Sequence, residues 1–271
     1  MNNRIAFIGG GNMASAIING LLANKFEADN IHVVEPYDDA RDKLRSVFGV
    51  NALASSSPAL EQASLVIWAI KPQNFKDAAL QARDHVANAL HLSVAAGISS
   101  DCIAHWLGVE RVVRAMPNTP ALIGKGMSGL FARAAVGETD RQLIETVLKA
   151  TGSFLWLDSE EQLDAVTAIS GSGPAYVFYF IEGMIQAGIT MGLKPQSARK
   201  FAIETFAGAS ALAAASQDPL ETLQARVTSK GGTTYAALAS MEHDGVQRHF
   251  IRAMHAARQR AAEMGREFGA D

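Results

Sequence analysis

Six residues, Gly9-Gly10-Gly11-Asn12-Met13-Ala14, have the types and spacing to hold a phosphate. They read G-x-G-x-x-A, directly after the run Arg4-Ile5-Ala6-Phe7-Ile8 and at the head of a helical pattern. Gly9 permits a tight turn, Gly11 admits a pyrophosphate with no side chain in the way, and Ala14 keeps the helix close to the sheet. The helix start at Asn12 and Met13 then turns unpaired N–H groups and a positive dipole end toward the phosphates. Glu35 ends a second strand pattern, 21 residues after Ala14. An acid there accepts hydrogen bonds from the adenosine ribose of NAD and repels the extra phosphate of NADP. Arg41 and Arg45 are placed to offset that repulsion, so NAD and NADP both stay open.

Three more segments fall where parallel strands should end: Ala69-Ile70-Lys71-Pro72-Gln73, Ala95-Ala96-Gly97 and Arg114-Ala115-Met116-Pro117-Asn118-Thr119-Pro120. Ligands of open α/β sheets bind outside such ends. Ala69, Lys71, Pro72, Ala96, Gly97 and Asn118 therefore join Gly9, Gly11, Asn12, Met13 and Glu35 as candidate cofactor contacts. Ala96 and Gly97 leave room for a flat ring, and Asn118 offers hydrogen bonds from a loop stiffened by prolines.

Two sequences stand out further on. Ser170-Gly171-Ser172-Gly173-Pro174 interrupts a helical stretch, which fits a close helix–helix contact and a broken helix facing a ligand equally well. Thr228-Ser229-Lys230-Gly231-Gly232-Thr233-Thr234 carries backbone N–H groups, hydroxyls and no acid, ahead of another helix. Such a loop suits a small carboxylate, and capping by Ser229 or Thr233 is compatible with that role. Metal chemistry is not expected: there is no H-E-x-x-H, the seven histidines lack ligand spacing, and the single cysteine, Cys102, builds no thiolate site. Gly124-Lys125 is followed by Gly126, so there is no Walker A sequence.

These residues need elements to hold them. Up to about residue 157, short β-rich runs alternate with helical stretches, the pattern of a Rossmann-type α/β domain with a parallel sheet. Leu65–Ile70 is wholly apolar and suits a central strand buried on both faces. Asp38–Phe48 reads as a polar helix stopped by Gly49. From Glu161 onward no strand pattern appears. Val246, Phe250, Met254, Ala257, Ala261 and Met264 recur at helical spacing. Phe201–Ala215 is apolar on most sides and has few helices of its own to cover it, which predicts an all-α domain that dimerises. The polar break Asp158-Ser159-Glu160-Glu161 sets the expected domains at 1–158 and 159–271.

Composition narrows the class. With 271 residues, 48% hydrophobic and 19% charged, the chain is a globular one of two-domain size. A net charge of -3 argues against nucleic acid as a partner. The Met1–Met13 start is too short in apolar length for a signal peptide, and Glu182 and Gln186 break the Pro174–Leu193 run. A membrane is therefore not an expected partner, and one cysteine fits a reducing compartment, so the expected location is cytoplasmic.

Phe7–Ala14, Lys71-Pro72-Gln73, Arg114–Pro120, Ser170–Tyr176 and Gly231-Gly232-Thr233-Thr234, taken together and in this order, resemble pyrroline-5-carboxylate reductase over almost the whole chain. The resemblance implies reduction of 1-pyrroline-5-carboxylate to L-proline with NADPH or NADH, the last step of proline biosynthesis. It implies a Rossmann domain followed by a helical domain that interlocks in a homodimer, often assembled into larger rings. It also implies that Ser229, Gly231, Gly232, Thr233 and Thr234 grip the substrate, with the Thr234 hydroxyl as the catalytic group near the substrate nitrogen. Some relatives carry a glutamate on the helix before this loop, and Gln217 is read as standing in its place. Two other functions compete: a 3-hydroxyacid dehydrogenase, disfavoured because Gly173–Ile185 lacks a lysine to take the alcohol proton, and a non-catalytic NAD(P)-sensing regulator.

Overall fold

The computed structural model describes residues 4–269. Met1–Asn3, at the head of the first expected domain, and Ala270–Asp271, at the tail of the second, lie outside the described residues. In chain order the elements run β1 (Ile5–Ile8), α1 (Asn12–Ala23), β2 (Ile31–Val34), α2 (Asp38–Phe48), β3 (Asn51–Leu53), β4 (Leu65–Trp68), α3 (Phe75–Val86), β5 (Leu90–Ser93), α4 (Ser100–Leu107), β6 (Val112–Met116), β7 (Gly126–Ala132), α5 (Glu138–Lys149) and β8 (Gly152–Trp156). Then come α6 (Gln162–Val166), one turn of π-helix over Thr167–Gly171, α7 (Gly173–Thr190), α8 (Pro195–Ala215), α9 (Leu220–Arg226), α10 (Thr233–His243) and α11 (Val246–Gly269).

The strands form one sheet in the order β3-β2-β1-β4-β5-β6-β7-β8. All four residues of β1 and of β4 are buried, as central strands covered on both faces require. Alternate residues divide the core in two. Ile5, Phe7, Leu65, Ile67, Leu90 and Leu92 meet Ile17, Ile18 and Leu21 of α1 and Ile144, Val147 and Leu148 of α5. Ala6, Ile8, Val66 and Trp68 meet Phe75, Ala79 and Ala82 of α3 and Ile103, Trp106 and Leu107 of α4. Burying residues of this size contributes about 1.5–3 kcal/mol per large side chain.

The pairs from β3 through β6 are parallel, giving the order 3-2-1-4-5-6 of a dinucleotide-binding sheet. The sheet is predominantly parallel, with one antiparallel pair toward its far edge. β7 runs antiparallel to β6, and β8 is parallel to β7. The cause is length: between β6 and β7 the chain makes only a short 3-10 helical turn, Thr119–Ile123, whereas a parallel return needs a dozen or more residues. β3 was not foreseen; three residues on an edge carry no alternation to read.

By compactness the chain divides after Ser172. The first unit is 1–172 together with 257–271, and the second is 173–256. The sheet ends at Trp156, but the methyls of Val166 at the end of α6 stand where a Cβ on Gly129 of β7 would go, so the first unit continues past the polar break.

The second unit is helical: α7 to α10 and the first part of α11. Tyr176, Phe180 and Phe250 meet edge to face. Its only buried hydrophobic side chains among the described residues are Ala198 and Ala202. Phe178 and Phe201 are each 64% exposed and Tyr179 77%. Among the described residues no helix is long and apolar enough to cross a membrane.

Candidate active site

The glycine turn lies between β1 and α1, where the strand order reverses between β1 and β4, the place at which open α/β sheets take ligands beyond their carboxyl ends. Gly9 has φ +96, and a Cβ on it would stand 2.5 Å from Ile70 Cγ2. No other residue fits that backbone in that space. Gly11 caps α1 with no side-chain hydrogen bond, and nothing lies within 4 Å of where its Cβ would be. Gly11 and Asn12 are exposed, Met13 is half-buried and Ala14 is fully buried. The turn thus leaves open space over a helix N-terminus with no side-chain cap, which fits a pyrophosphate.

Glu35 follows β2 and is 8% exposed. Its carboxylate accepts from the Gly10 N–H at 3.0 Å and the Tyr37 N–H at 3.2 Å, which holds the glycine turn against the start of α2. Arg41 donates to the Glu35 carbonyl at 2.8 Å and pairs with Asp38. Arg45 pairs with Asp42 at 3.0 Å and donates to the Ala52 carbonyl at 2.7 Å. Neither arginine stands free.

At the other strand ends the candidates differ in what they offer. Ala69 continues β4, its N–H donating to the Ile8 carbonyl at 2.9 Å, and exposed Lys71 precedes the turn that begins at Pro72. Ala96 is half-buried beyond β5. Gly97 is small for a reason the sequence does not show: its Cβ would stand 3.2 Å from Met264 Cβ of α11, so the helix approaches there. Asn118 uses both ends of its side chain on the protein. Its Oδ1 accepts the Met127 N–H at 2.9 Å, and its Nδ2 donates to Ser170 Oγ at 3.1 Å. Arg114, in the same motif, pairs with Glu160 at 2.7 Å, and Glu160 also accepts from the Ser100 N–H and hydroxyl. These two residues brace the end of β6.

Asn118 pins the π-helical turn, and Gly171 admits Met116 Cε, which stands 2.5 Å from its would-be Cβ. The break read at Ser170–Pro174 is this widened turn followed by a new helix at Gly173.

In the second unit, the loop before α10 turns at Gly231, φ +74, and the Gly232 N–H donates to the Ser229 carbonyl at 3.0 Å. Gly232 is the N-cap of α10, with no side-chain hydrogen bond, so neither Ser229 nor Thr233 caps the helix. Ser229 and Thr233 are exposed and Thr234 is half-buried. The first turn of α10 thereby keeps its N–H groups for an anion. Gln217 is not on a helix: it lies in the connection between α8 and α9, because Ser216 ends α8 and Pro219 precedes α9. α9 carries a glutamate of its own, Glu221, in its first turn.

Comparison with known proteins covers the same ground. Residues 160–264 match a family model described as pyrroline-5-carboxylate reductase dimerisation, and residues 4–97 one described as NADP oxidoreductase, coenzyme F420-dependent. The chain is 42% identical to the pyrroline-5-carboxylate reductase of Pseudomonas aeruginosa, covering 98% of each. A pyrroline-5-carboxylate reductase structure from Coxiella burnetii superposes with a TM-score of 0.91 at 35% identity, over 97% of this chain and 99% of that one. A Plasmodium falciparum pyrroline carboxylate reductase with NADP bound does so with a TM-score of 0.87 at 27% identity, over 97% and 98%.

Proposed function

The chain belongs to the pyrroline-5-carboxylate reductase family, and from that membership we propose that it reduces 1-pyrroline-5-carboxylate to L-proline as the last step of proline biosynthesis. The observation that carries the reading is one chain holding both an open phosphate turn at Gly9–Gly11 and an uncapped, glycine-led helix start at Gly231–Thr234. The substrate is a cyclic imine with a carboxylate. Once protonated, its C=N carbon accepts hydride, the π pair moves to nitrogen, and the nitrogen keeps the proton it already has. The reduced nicotinamide, when bound, supplies the hydride. The protein's share is positioning, which needs no strong general acid.

Gly9, Gly11, Asn12 and Met13 hold the pyrophosphate in this reading, with Glu35 at the adenosine end and Ala69, Lys71, Pro72, Ala96 and Gly97 along the crevice. Asn118 serves there through its braced loop. Ser229, Gly231, Gly232 and Thr233 hold the substrate carboxylate, and the Thr234 hydroxyl bonds the ring nitrogen. The working divisions are a dinucleotide domain at 1–158 and a helical substrate and dimerisation domain at 159–271. The enzyme acts as a homodimer, with larger rings built from dimers, in the cytoplasm, where its one cysteine stays a thiol.

Thr234→Ala is expected to lower turnover about 10- to 100-fold, the worth of one hydrogen bond to a charged group, while dinucleotide binding persists. A spectrophotometric assay of nicotinamide oxidation driven by 1-pyrroline-5-carboxylate measures it. Wild-type turnover in the variant removes Thr234 from the mechanism. Dinucleotide binding with no oxidation by any cyclic imine supports the sensor instead. α7 contains no lysine, which continues to disfavour the 3-hydroxyacid dehydrogenase.

A further inference from the structure

The adenosine end of the crevice carries more than the proposed function uses. Glu35, Asp38, Asp39 and Asp42 gather at the end of β2 and in the first turns of α2. The two arginines that could answer a phosphate are both engaged: Arg41 with the Glu35 carbonyl and Asp38, Arg45 with Asp42 and the Ala52 carbonyl. Glu35 is held in place by the Gly10 and Tyr37 amides. A carboxylate has about four acceptor positions, and these amides use two. The remaining positions can accept from donor groups and offer nothing to another acceptor.

We propose that this site selects the dinucleotide whose adenosine ribose keeps a free 2′-hydroxyl, so that NADH is preferred over NADPH, and that Glu35 is the residue that decides it. The inference rests on the dinucleotide reading of the glycine turn. A ribose 2′-hydroxyl is a donor that satisfies Glu35. A 2′-phosphate brings about two negative charges and only acceptors to a buried carboxylate that cannot swing away without releasing the glycine turn. Admitting it requires Arg41 to give up its present bonds. The contrast is with the Plasmodium falciparum relative whose structure holds NADP.

The experiment is a binding titration of the full-length protein with NADH and with NADPH, followed by the change in nicotinamide fluorescence and without substrate. Wild type is expected to bind NADH at least about tenfold more tightly, a difference of about 1.4 kcal/mol. Glu35→Gln keeps the size, removes the charge and leaves one oxygen to accept the Gly10 N–H at the cost of the Tyr37 bond; it is expected to narrow the ratio to within roughly threefold, mainly by tightening NADPH. Asp38→Asn weakens one of the two holds on Arg41, leaving its bond to the Glu35 carbonyl, removes one negative charge and does not alter the glycine turn, and should shift NADPH in the same direction. Equal or tighter NADPH binding by wild type overturns the preference. An NADH preference that neither variant moves overturns its assignment to this cluster. Failure of both dinucleotides to bind overturns the dinucleotide site itself.

Discussion

His91 shows what a single buried side chain imposes on the sheet. It sits in β5 with no exposure, its Nδ1 accepting the Trp68 indole N–H at 3.1 Å. Burial pushes its pKa down from 6.5 to about 4; the Val86 carbonyl opposes the shift and Arg111 adds to it. The native state therefore refuses a proton that the unfolded chain accepts between those two values. This contribution to stability is fully present above about pH 6.5 and is lost as pH falls toward 4, a total of about 3 kcal/mol. Denaturant unfolding at neutral pH and near pH 4.5 measures the slope. His91→Phe keeps a ring in the space and should flatten that slope, although it costs stability at neutral pH by stranding the Trp68 N–H. An unchanged slope would assign the pH dependence to other groups. The sequence could not show this, because a histidine in an apolar run reads the same whether it is buried or at an edge. The glycines were more legible. Gly9 and Gly11 lie beside a strand and a helix start, so their geometry is local. Gly97 depends on α11, far along the chain, and its local sequence suggested a ring site.

Elements were legible where their signal lay within themselves. α2 runs from Asp38 to Phe48 with Gly49 behind it, as its residues indicate, and the stripe from Val246 to Met264 lies on the more buried side of α11 except at Phe250. The reversal at β7 was not legible as a direction, since only the brevity of the β6–β7 connection decides it. The widened turn at Thr167–Gly171 was legible as an interruption but not as a device. Its clasp is non-local: Asn118 bonds Ser170 across the fold, and Ser170 Oγ also donates to the Met127 carbonyl at 3.3 Å. Such a turn has its own Ser172 N–H bond to the Thr167 carbonyl at 2.8 Å, and the Asn118 clasp adds to it from outside the helix. Asn118→Ala leaves the Met127 N–H without its acceptor and should cost about 1–3 kcal/mol. Hydrogen exchange should rise in 167–171 and stay unchanged in α3 and α4, which Asn118 does not touch. Unaltered protection of 167–171 would mean that the turn holds itself. Asn118 was singled out from sequence as a cofactor contact, and its bonds here give it a bracing task that spacing alone does not reveal.

At the scale of the whole molecule the two units differ in how completely each satisfies its own apolar residues. The first unit encloses two dense clusters, one on each face of its sheet. The second leaves Phe178, Tyr179, Met191, Phe201, Leu212 and Val227 largely exposed and buries little but alanine. Large apolar side chains left exposed together in one helical unit point to an interface. The chain matches a dimerisation model over 160–264, so a second copy is the fitting cover. Sequence composition revealed how much apolar surface α7 and α8 carry; it could not show where that surface goes, because the partner's side chains do not appear in one chain's periodicity. An obligate interface of this kind buries about 2,000 Å² or more, and its protomers have no independent stability in that region. Sedimentation at micromolar concentration should therefore show the wild type as a dimer or a multiple of one, with a melting temperature that rises with protein concentration. Phe178→Asp together with Phe201→Asp places charges on this surface, and both positions belong to the second unit. The double variant should sediment as a monomer, melt at lower temperature, and still bind the dinucleotide, whose proposed contacts all lie in the first unit. A wild type that sediments as a monomer with a concentration-independent melting temperature would leave the exposed aromatics without a dimer to explain them.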